Sequence, residues 1–235
     1  MGVLNSTPDS FSDGGRFRDL DAALAQAARL IAAGADCLDI GGESTRPGAL
    51  PVHEGEELDR VIPLIEALRG QTAASISIDT RKPAVARAAV AAGASIWNDV
   101  AALTFAGEGP ETAAALGCDI VLMHMRGEPE TMQRSPQYVD VVAEVASFLA
   151  ARAETAISAG VARERIWLDP GIGFGKTLGH NLALIAGLDR LVALGFPVLL
   201  GASRKGLIRA IDPSGHAQAT VQMVLEHRSL PMFFA

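Results

Sequence analysis

The sequence of 235 residues is poor in aromatic side chains, in cysteine and in long apolar stretches. It has no run of about 18 uninterrupted apolar residues, so we predict no membrane-spanning helix. Its amino terminus has no basic segment followed by an apolar one, and we therefore expect no signal peptide. Cys37 and Cys118 each lie in an apolar run, which favours two reduced core thiols in a cytoplasmic protein over a disulfide or a metal site.

Clusters of basic residues are also missing. The formal net charge is −7, and no run of Lys and Arg interrupts the acidic balance. This argues against nucleic acid and against an anionic membrane as partners. An anionic small substrate stays compatible with the sequence only if a local group of Arg and Lys side chains opposes the overall field.

One unit recurs along the chain: an Ala-rich amphipathic helix, a glycine, and a short apolar run that ends in polar residues. The apolar runs are too short for helices and are typical of strands buried on both faces. We predict strands at 2–5, 36–41, 75–79, 95–98, 120–124, 165–169, 197–201 and 230–235. We predict helices at 19–33, 53–69, 82–92, 111–116, 138–159, 181–194 and 216–228.

Strict alternation of strand and helix predicts a parallel sheet with right-handed crossovers. Seven or eight units of about 30 residues favour a closed (β/α)8 barrel, the TIM barrel, over an open doubly wound sheet. The pattern alone leaves the open sheet as an alternative. No linker or change in composition divides the chain, so we predict a single barrel domain over residues 1–235.

Polar residues follow the predicted strands, whose carboxyl ends open onto one mouth in a parallel barrel. A single Asp at a strand end is about as often the N-cap of the next helix as a site residue. A lone histidine such as His124 is more often a buried core imidazole than a ligand. Polar residues at all seven ends are harder to explain in this way and predict a site. These ends carry Asn5, Asp39, Asp79, Asn98, His124, Asp169 and the triplet 203–205.

The side chains at these ends indicate a class of ligand. Asp79, Asn98 and Asp169 suit a flat heterocycle with an amino group beside a ring N–H, such as guanine or a pterin. Asn5 could help to hold Mg²⁺ on a diphosphate, because that ion needs few protein ligands. Cations and hydroxyl donors for an anion come from Thr45, Arg46, Lys176, Ser203, Arg204 and Lys205. These residues alone do not name a reaction.

The segment 171–177, GIGFGKT, is similar to a nucleotide phosphate loop. That motif requires a glycine at the position that Pro170 occupies here. A strand-end Asp169 comes directly before it, and no second acidic strand of the kind that holds a nucleotide's metal follows. We therefore do not predict an ATP- or GTP-binding loop.

A set of motifs, taken together, resembles the dihydropteroate synthase family over residues 1 to about 210. Position 6 is Ser where the family usually has Val. The motifs stand in the family's order and spacing: NSTPDSFSDGG (5–15), DIGGESTRPGA (39–49), SIDT (77–80), NDV (98–100), MHMRG (123–127), LDPGIGFGKT (168–177) and GASRK (201–205).

The resemblance implies a transferase of folate biosynthesis, a sulfonamide target that joins hydroxymethyl-dihydropterin pyrophosphate to p-aminobenzoate with Mg²⁺. It implies a pterin site of Asp79, Asn98, Met123, Asp169 and Lys205. It implies a p-aminobenzoate site of Phe11, Arg46, Pro47, Phe174 and Ser203. Asn5 and Thr45 would contact the pyrophosphate, with Asn5 also at the metal, and the implied catalytic residues are Asp13, Asp79, Asp169 and Lys205. A homodimer is usual in the family.

Compared with the family, both ends of the chain are short. The family's last motif, Arg-Val-His-Asp, is absent, so we expect an incomplete last β/α unit. Two alternatives to an active enzyme stay open. One is a non-catalytic remnant that binds pterin or sulfonamide; the other is a pterin-binding domain of a methyltetrahydrofolate methyltransferase.

Overall fold

The computed structural model describes residues 1–5, 16–46, 48–202 and 232–234, with side chains described from residue 20 onward in the first helix and not in the last strand. Within these ranges, no helix is long and apolar enough to cross a membrane. Both cysteines are free thiols, and burial raises the pKa of Cys37 to about 12 and also raises that of Cys118. Cys118 lies in the core as expected, whereas Cys37 is only half-buried.

Eight strands form one sheet in which each strand pairs in parallel with the next one along the chain. Helices connect the first seven strands, and this is the (β/α)8 arrangement that the alternation predicts. Among the described residues, no backbone pairing joins the last strand to the first. The strands are β1 Gly2–Asn5, β2 Cys37–Gly41, β3 Ser75–Asp79, β4 Ile96–Asp99, β5 Asp119–Met123, β6 Ile166–Asp169, β7 Val198–Leu200 and β8 Met232–Phe234.

The helices also lie close to their predicted positions, with one correction. The predicted helix 181–194 is two helices divided at Gly187, where a Cβ atom would lie 2.9 Å from Val142 Cγ1 of the neighbouring helix. The predicted helix 216–228 lies outside the described residues. The helices are α1 Arg16–Ala32, α2 Glu54–Arg69, α3 Pro83–Ala92, α4 Gly109–Leu116, α5 Val141–Ala159, α6 Leu178–Ala186 and α7 Leu188–Val192, with a 3-10 turn at Arg163–Arg165.

The glycines that follow five of these helical segments have positive φ angles, from 59° at Gly117 to 128° at Gly93. Glycine adopts this left-handed conformation without the steric cost that a Cβ atom brings. At these five positions the repeated Gly therefore ends a helical segment and turns the chain toward the next strand.

The two faces of the strands have different chemistry. Alternate residues such as Leu38, Ile40, Ile78 and Trp97 are fully buried in the apolar core between sheet and helices. Because successive side chains of a strand point to opposite faces, their neighbours point into the barrel. On β2 to β4 those neighbours include Asp39, Ser77, Asp79 and Asn98, so the barrel interior is polar on this side.

Candidate active site at the barrel mouth

Asn5, Gly41, Asp79 and Asn98 form one row across the carboxyl ends of β1 to β4, because each pairs in register with the next. A Cβ atom at Gly41 would lie 3.5 Å from Asp79 Oδ2 and 3.6 Å from Asn5 Oδ1. Both side-chain oxygens therefore lie over the bare backbone of Gly41. The row brings together three of the residues predicted for the site.

Asp39 lies one layer deeper, two residues before Gly41 and on the same face of β2. Its carboxylate oxygen Oδ2 accepts a hydrogen bond of 3.1 Å from the amide nitrogen of Asn98. That bond fixes the orientation of the Asn98 amide and leaves its oxygen for another donor. The sequence places Asp39 at a strand end but gives it no ligand-binding role, and its spacing from Gly41 places it on the inner face.

Three buried oxygens in this group have no hydrogen-bond partner among the described residues: Asp39 Oδ1, Asp79 Oδ1 and Asn98 Oδ1. Buried polar atoms are nearly always hydrogen-bonded in folded proteins. Three acceptors from adjacent strands that lack donors therefore indicate a place where a ligand supplies them. We call Asp39, Asp79 and Asn98 the acceptor floor.

The electrostatics of the acceptor floor are those of crowded acids. Burial, followed by the negative charges of Asp39 and Glu57, raises the pKa of the Asp79 carboxyl well above its usual value. Burial also raises the pKa of Asp39, and the charge of Asp169 adds to that effect. The charge of Asp169 raises the pKa of Asp39, and the charge of Asp39 raises that of Asp79. Carboxylates from β2, β3 and β6 therefore converge inside the barrel.

Asp169 ends β6 and pairs in register with Met123 at the end of β5. Its Oδ1 accepts a 2.7 Å hydrogen bond from the backbone N–H of Gly171, which fixes the carboxylate at the start of the following loop. Met123 is 3% exposed and lies outside the core cluster shared with the helices. Strand alternation therefore places the Met123 side chain inside the barrel.

The loop after β6 is held by Lys176, which is only 3% exposed. Its Nζ donates to the carbonyl oxygens of Gly171, Phe174 and His124 at 2.9 to 3.1 Å and lies 3.0 Å from His124 Nδ1. The sequence favoured Lys176 as a cation for an anionic substrate. The structure shows that this ammonium group instead holds the backbone of two loops together.

Glycine is required in this loop because it lies very close to the loop after β5. A Cβ atom would lie 1.9 Å from the His124 carbonyl oxygen at Gly171 and 2.3 Å from that of Arg126 at Gly175. His124 is buried against the edge of Phe148, and burial followed by the nearby Lys176 charge lowers its pKa to about 3. The buried-imidazole interpretation of His124 is therefore confirmed.

The loop after β2 carries Thr45 and Arg46, which are half-buried and exposed, respectively. Glu43 at its start is 6% exposed and pairs with Arg81 and Lys82, both of which follow β3. Lys82 also pairs with Glu57, which is completely buried in α2. These ion pairs connect the loop to the barrel wall, and the sequence analysis did not identify them.

The described part of the chain thus contains eight of the predicted site residues: Asn5, Thr45, Arg46, Asp79, Asn98, Met123, Asp169 and Phe174. The half-buried Phe174 lies in the β6 loop, where its own carbonyl accepts from Lys176. The other predicted residues, Phe11, Asp13, Pro47, Ser203 and Lys205, lie outside the described residues.

The described residues contain no group of three or more His, Cys, Asp or Glu side chains that could hold a metal ion by themselves. Mg²⁺ commonly uses only one or two protein oxygens and takes its other ligands from phosphate and water. Asn5 Oδ1 at the mouth, close to Asp79 Oδ2, fits that smaller requirement.

Comparison with protein families gives one match that covers nearly the whole chain. The model of the family described as "Pterin binding enzyme" matches residues 1–229. The dihydropteroate synthase of Streptococcus pyogenes is 48% identical over 211 residues, which are 90% of this chain and 77% of that protein. The dihydropteroate synthase of Escherichia coli K12 is 48% identical over 208 residues, which are 88% and 73% of the two chains.

Solved structures give the same result. The dihydropteroate synthase of Xanthomonas albilineans with 4-aminobenzoic acid superimposes with a TM-score of 0.89 at 46% identity, over 99% of this chain and 85% of that chain. The complex of the Xanthomonas albilineans protein with 7,8-dihydropteroate gives a TM-score of 0.85 at 44% identity, with the same coverage. A Yersinia pestis homologue in a sulfonamide complex gives 0.85 at 45% identity, over 94% and 80% of the two chains.

Proposed function

Because the chain belongs to the dihydropteroate synthase family of pterin-binding enzymes, we propose that the residues at its barrel mouth carry out that family's reaction. The chain is a transferase of folate biosynthesis. It condenses hydroxymethyl-dihydropterin pyrophosphate with p-aminobenzoate and releases dihydropteroate and pyrophosphate. The division of labour among its residues is the subject of the proposal.

The acceptor floor binds the pterin ring. The ring presents an amino group beside a ring N–H, and carboxylate and amide oxygens accept from such an edge in parallel. Asp79, Asn98 and Asp169 supply these acceptors, and Asp39 orients the Asn98 amide from below. Met123 contributes an apolar wall, and Lys205 completes the site from outside the described residues.

The leaving group is held at the edge of the same row. Asn5 and Thr45 contact the pyrophosphate, and Asn5 also provides an oxygen for Mg²⁺. When bound, Mg²⁺ neutralises the charge that grows on the departing pyrophosphate. The side-chain oxygens of Asn5 and Asp79 both lie over Gly41, and this common position supports the arrangement.

The second substrate lies between the loops after β2 and β6. Arg46 pairs with the carboxylate of p-aminobenzoate, and Phe174 packs against its ring; Phe11, Pro47 and Ser203 complete the pocket. The amine of p-aminobenzoate is neutral near pH 7, so the attack does not require a strong general base. Loss of pyrophosphate leaves a cationic pterin methylene, which the carboxylates of Asp13, Asp79 and Asp169 stabilise electrostatically.

One observation carries this proposal above the others: buried acceptors without donors lie side by side on β2, β3 and β4 of a barrel whose relatives include a complex with dihydropteroate. A remnant without activity would keep the acceptors and lose turnover. A methyltransferase domain would have no use for p-aminobenzoate.

The test is to incubate the purified chain with the pterin pyrophosphate, Mg²⁺ and radiolabelled p-aminobenzoate, and to measure labelled dihydropteroate. We expect product that depends on all three additions. Saturable pterin binding without any product would contradict the enzymatic proposal and favour the remnant. The control is Asp119→Asn, which alters a carboxylate at the opposite end of β5 and is expected to keep wild-type turnover.

Three further features belong to the proposal. We place the reaction in the cytoplasm, which is supported by the two free thiols. We also propose one barrel domain across residues 1–235 and a homodimer as the assembly. Sedimentation of the purified chain would give its mass directly.

A further inference from the structure

The guanidinium group of Arg81 joins several loops of the mouth. Arg81 follows β3, two residues after Asp79, and its side chain is 8% exposed. Its Nε lies 3.2 Å from Glu43 Oε1 in the loop after β2, and its Nη1 pairs with Glu128 in the loop after β5. The same group lies 4.6 Å from the ring centroid of Phe105, which follows β4. One side chain therefore contacts three loops besides its own.

These contacts lie on both sides of the segment that carries Thr45 and Arg46. Glu43 holds the beginning of that segment to Arg81. At its other end, the N–H of Gly48 donates a 3.1 Å hydrogen bond to the carbonyl of Pro129, directly after Glu128. Since Arg81 contacts Glu43 and Glu128, it holds the β2 loop at one end directly and at the other through the β5 loop.

The two loops also leave open space between them beside the guanidinium group. A cavity of about 90 Å³ lies between them, lined by Ser44, Leu50 and Arg81 among others. Leu50 is 73% exposed, so it does not fill the space. The separation of the β2 and β5 loops therefore depends on the guanidinium group and on the Gly48–Pro129 hydrogen bond.

We propose that Arg81 is a positioning residue that sets the p-aminobenzoate site relative to the pterin site by holding the β2 and β5 loops together. This inference rests on the proposed function, because it assumes that Arg46 binds p-aminobenzoate. Arg81 acts through Glu43 and Glu128 and does not touch substrate. Its loss displaces the β2 loop, whereas the acceptor floor on the strands stays in place.

The decisive variant is Arg81→Met, which keeps much of the side-chain length and removes the charge. It is expected to fold, because Lys82 continues to pair with Glu43. We expect the KM for p-aminobenzoate to rise about tenfold, because the displaced β2 loop weakens the contact of Arg46 with the substrate. This is the size expected from one lost charge-assisted contact. Affinity for the pterin pyrophosphate, measured by equilibrium binding, should stay within about twofold, because strand residues form that site.

A single ammonium group cannot form the two-sided contact of a guanidinium. Arg81→Lys should therefore give a KM for p-aminobenzoate between those of the wild type and Arg81→Met. Glu128→Gln removes only the β5 side of the contact, at a side chain that is 67% exposed, and should raise the KM by about threefold. When Glu128→Gln is combined with Arg81→Met, the KM for p-aminobenzoate should rise little beyond that of Arg81→Met alone, since both changes break the same contact.

The matched control is Arg87→Met. Arg87 lies on α3 and pairs with Glu108 across an exposed surface, so its loss removes an Arg–Glu pair away from the mouth. Its kinetics should equal those of the wild type. Equal KM values for p-aminobenzoate in Arg81→Met and wild type, or a parallel loss of pterin affinity, would overturn the inference. Absence of product from the unaltered chain would instead overturn the proposed function, and the inference with it.

Discussion

Two groups of polar residues lie within the same barrel and differ in whether their charges are paired. The acceptor floor, Asp39, Asp79 and Asn98, has three oxygens without partners in the described structure. The second group, which we call the loop network, consists of Glu43, Glu57, Arg81, Lys82 and Glu128. Each of its three acids pairs with at least one of its two cations, and one oxygen of Glu57 has no hydrogen-bond partner among the described residues.

The difference appears in the pKa values. Burial raises the pKa of Asp79, and the surrounding carboxylates raise it further. Burial also tends to raise the pKa of the Glu43 carboxyl. Hydrogen bonds from the Lys82 side chain and from the backbone N–H of Val52 outweigh this effect and lower the pKa. A buried acid with a cationic partner supports the fold, whereas a buried acid without one is kept for a ligand.

The largest expected effect is the loss of activity in Asp79→Asn. This change keeps the shape of the side chain and removes the charge from the acceptor floor. We expect kcat/KM to fall about 100-fold, which corresponds to the loss of one to two charge-assisted hydrogen bonds. Steady-state kinetics beside Asp119→Asn would measure it; a fall of less than about threefold would remove Asp79 from the site.

The second effect concerns the loop network and the free energy of unfolding. Lys82→Met leaves Glu43 without its closest partner and the fully buried Glu57 without a cation. Breaking a buried ion pair in this way costs about 3–5 kcal/mol. Urea denaturation would measure the loss. Arg87→Met, which breaks an exposed pair with Glu108 and a hydrogen bond to the hydroxyl of buried Thr112, should cost less, about 1–2 kcal/mol.

Asp39→Asn should increase the free energy of unfolding, whereas Lys82→Met decreases it. It removes a buried charge that is close to Asp169, and it leaves an oxygen to accept from Asn98. We expect unfolding at pH 7 to require about 0.5–2 kcal/mol more, with weaker pterin binding. Because the pKa of Asp39 is raised on folding, the gain should disappear as the pH falls below 3.8, its value in the unfolded chain, where the carboxyl is protonated in both states. A loss of stability at pH 7 would place Asp39 with the loop network.

The smallest effect at neutral pH is that of His124. Its pKa falls from 6.5 in the unfolded chain to about 3 in the folded protein, so the unfolded chain binds more protons between these values. Its contribution to stability is therefore complete above pH 6.5 and declines as the pH falls, by at most about 1.4 kcal/mol per pH unit. His124→Gln should flatten the pH dependence of urea denaturation between pH 4 and 6.5.

Asp99 has the opposite effect on the pH dependence of stability. Burial raises its pKa to about 6, so its contribution to the free energy of unfolding decreases as the pH rises through that value. The wild type and His124→Gln share Asp99, so the difference between their pH profiles isolates the imidazole. If the free energy of unfolding of His124→Gln depended on pH as steeply as that of the wild type, the buried neutral form of His124 would be contradicted.

The sequence could predict the features that depend on local periodicity. The strand positions, the glycines that end the helices and the row of Asn5, Asp79 and Asn98 follow from alternation and from the geometry of a parallel barrel. The order of the strands places these residues in register, even though they are far apart in the chain.

Features that depend on the direction of a long side chain could not be predicted in this way. Lys176 stands between glycines and threonine as a lysine in a phosphate loop would, and only the fold shows that its ammonium group is enclosed by carbonyl oxygens. Arg81 likewise looks like an ordinary residue at a strand end. Its role depends on Glu43 and Glu128, which are 38 and 47 positions away.

The division of the predicted helix 181–194 was missed for a related reason. Gly187 is explained by its close approach to Val142 on α5, a contact between helices that sequence spacing does not reveal. The role of Asp39 beneath Asn98 was missed because it depends on a hydrogen bond between residues 59 positions apart.

The most direct test of the acceptor floor is a crystal structure of the chain with a bound dihydropterin. We predict that ring and amino N–H groups of the pterin lie about 3 Å from the free oxygens of Asp79 and Asn98, with Asp39 still accepting from Asn98. A pterin bound elsewhere in the barrel, with these oxygens still lacking donors, would contradict the account.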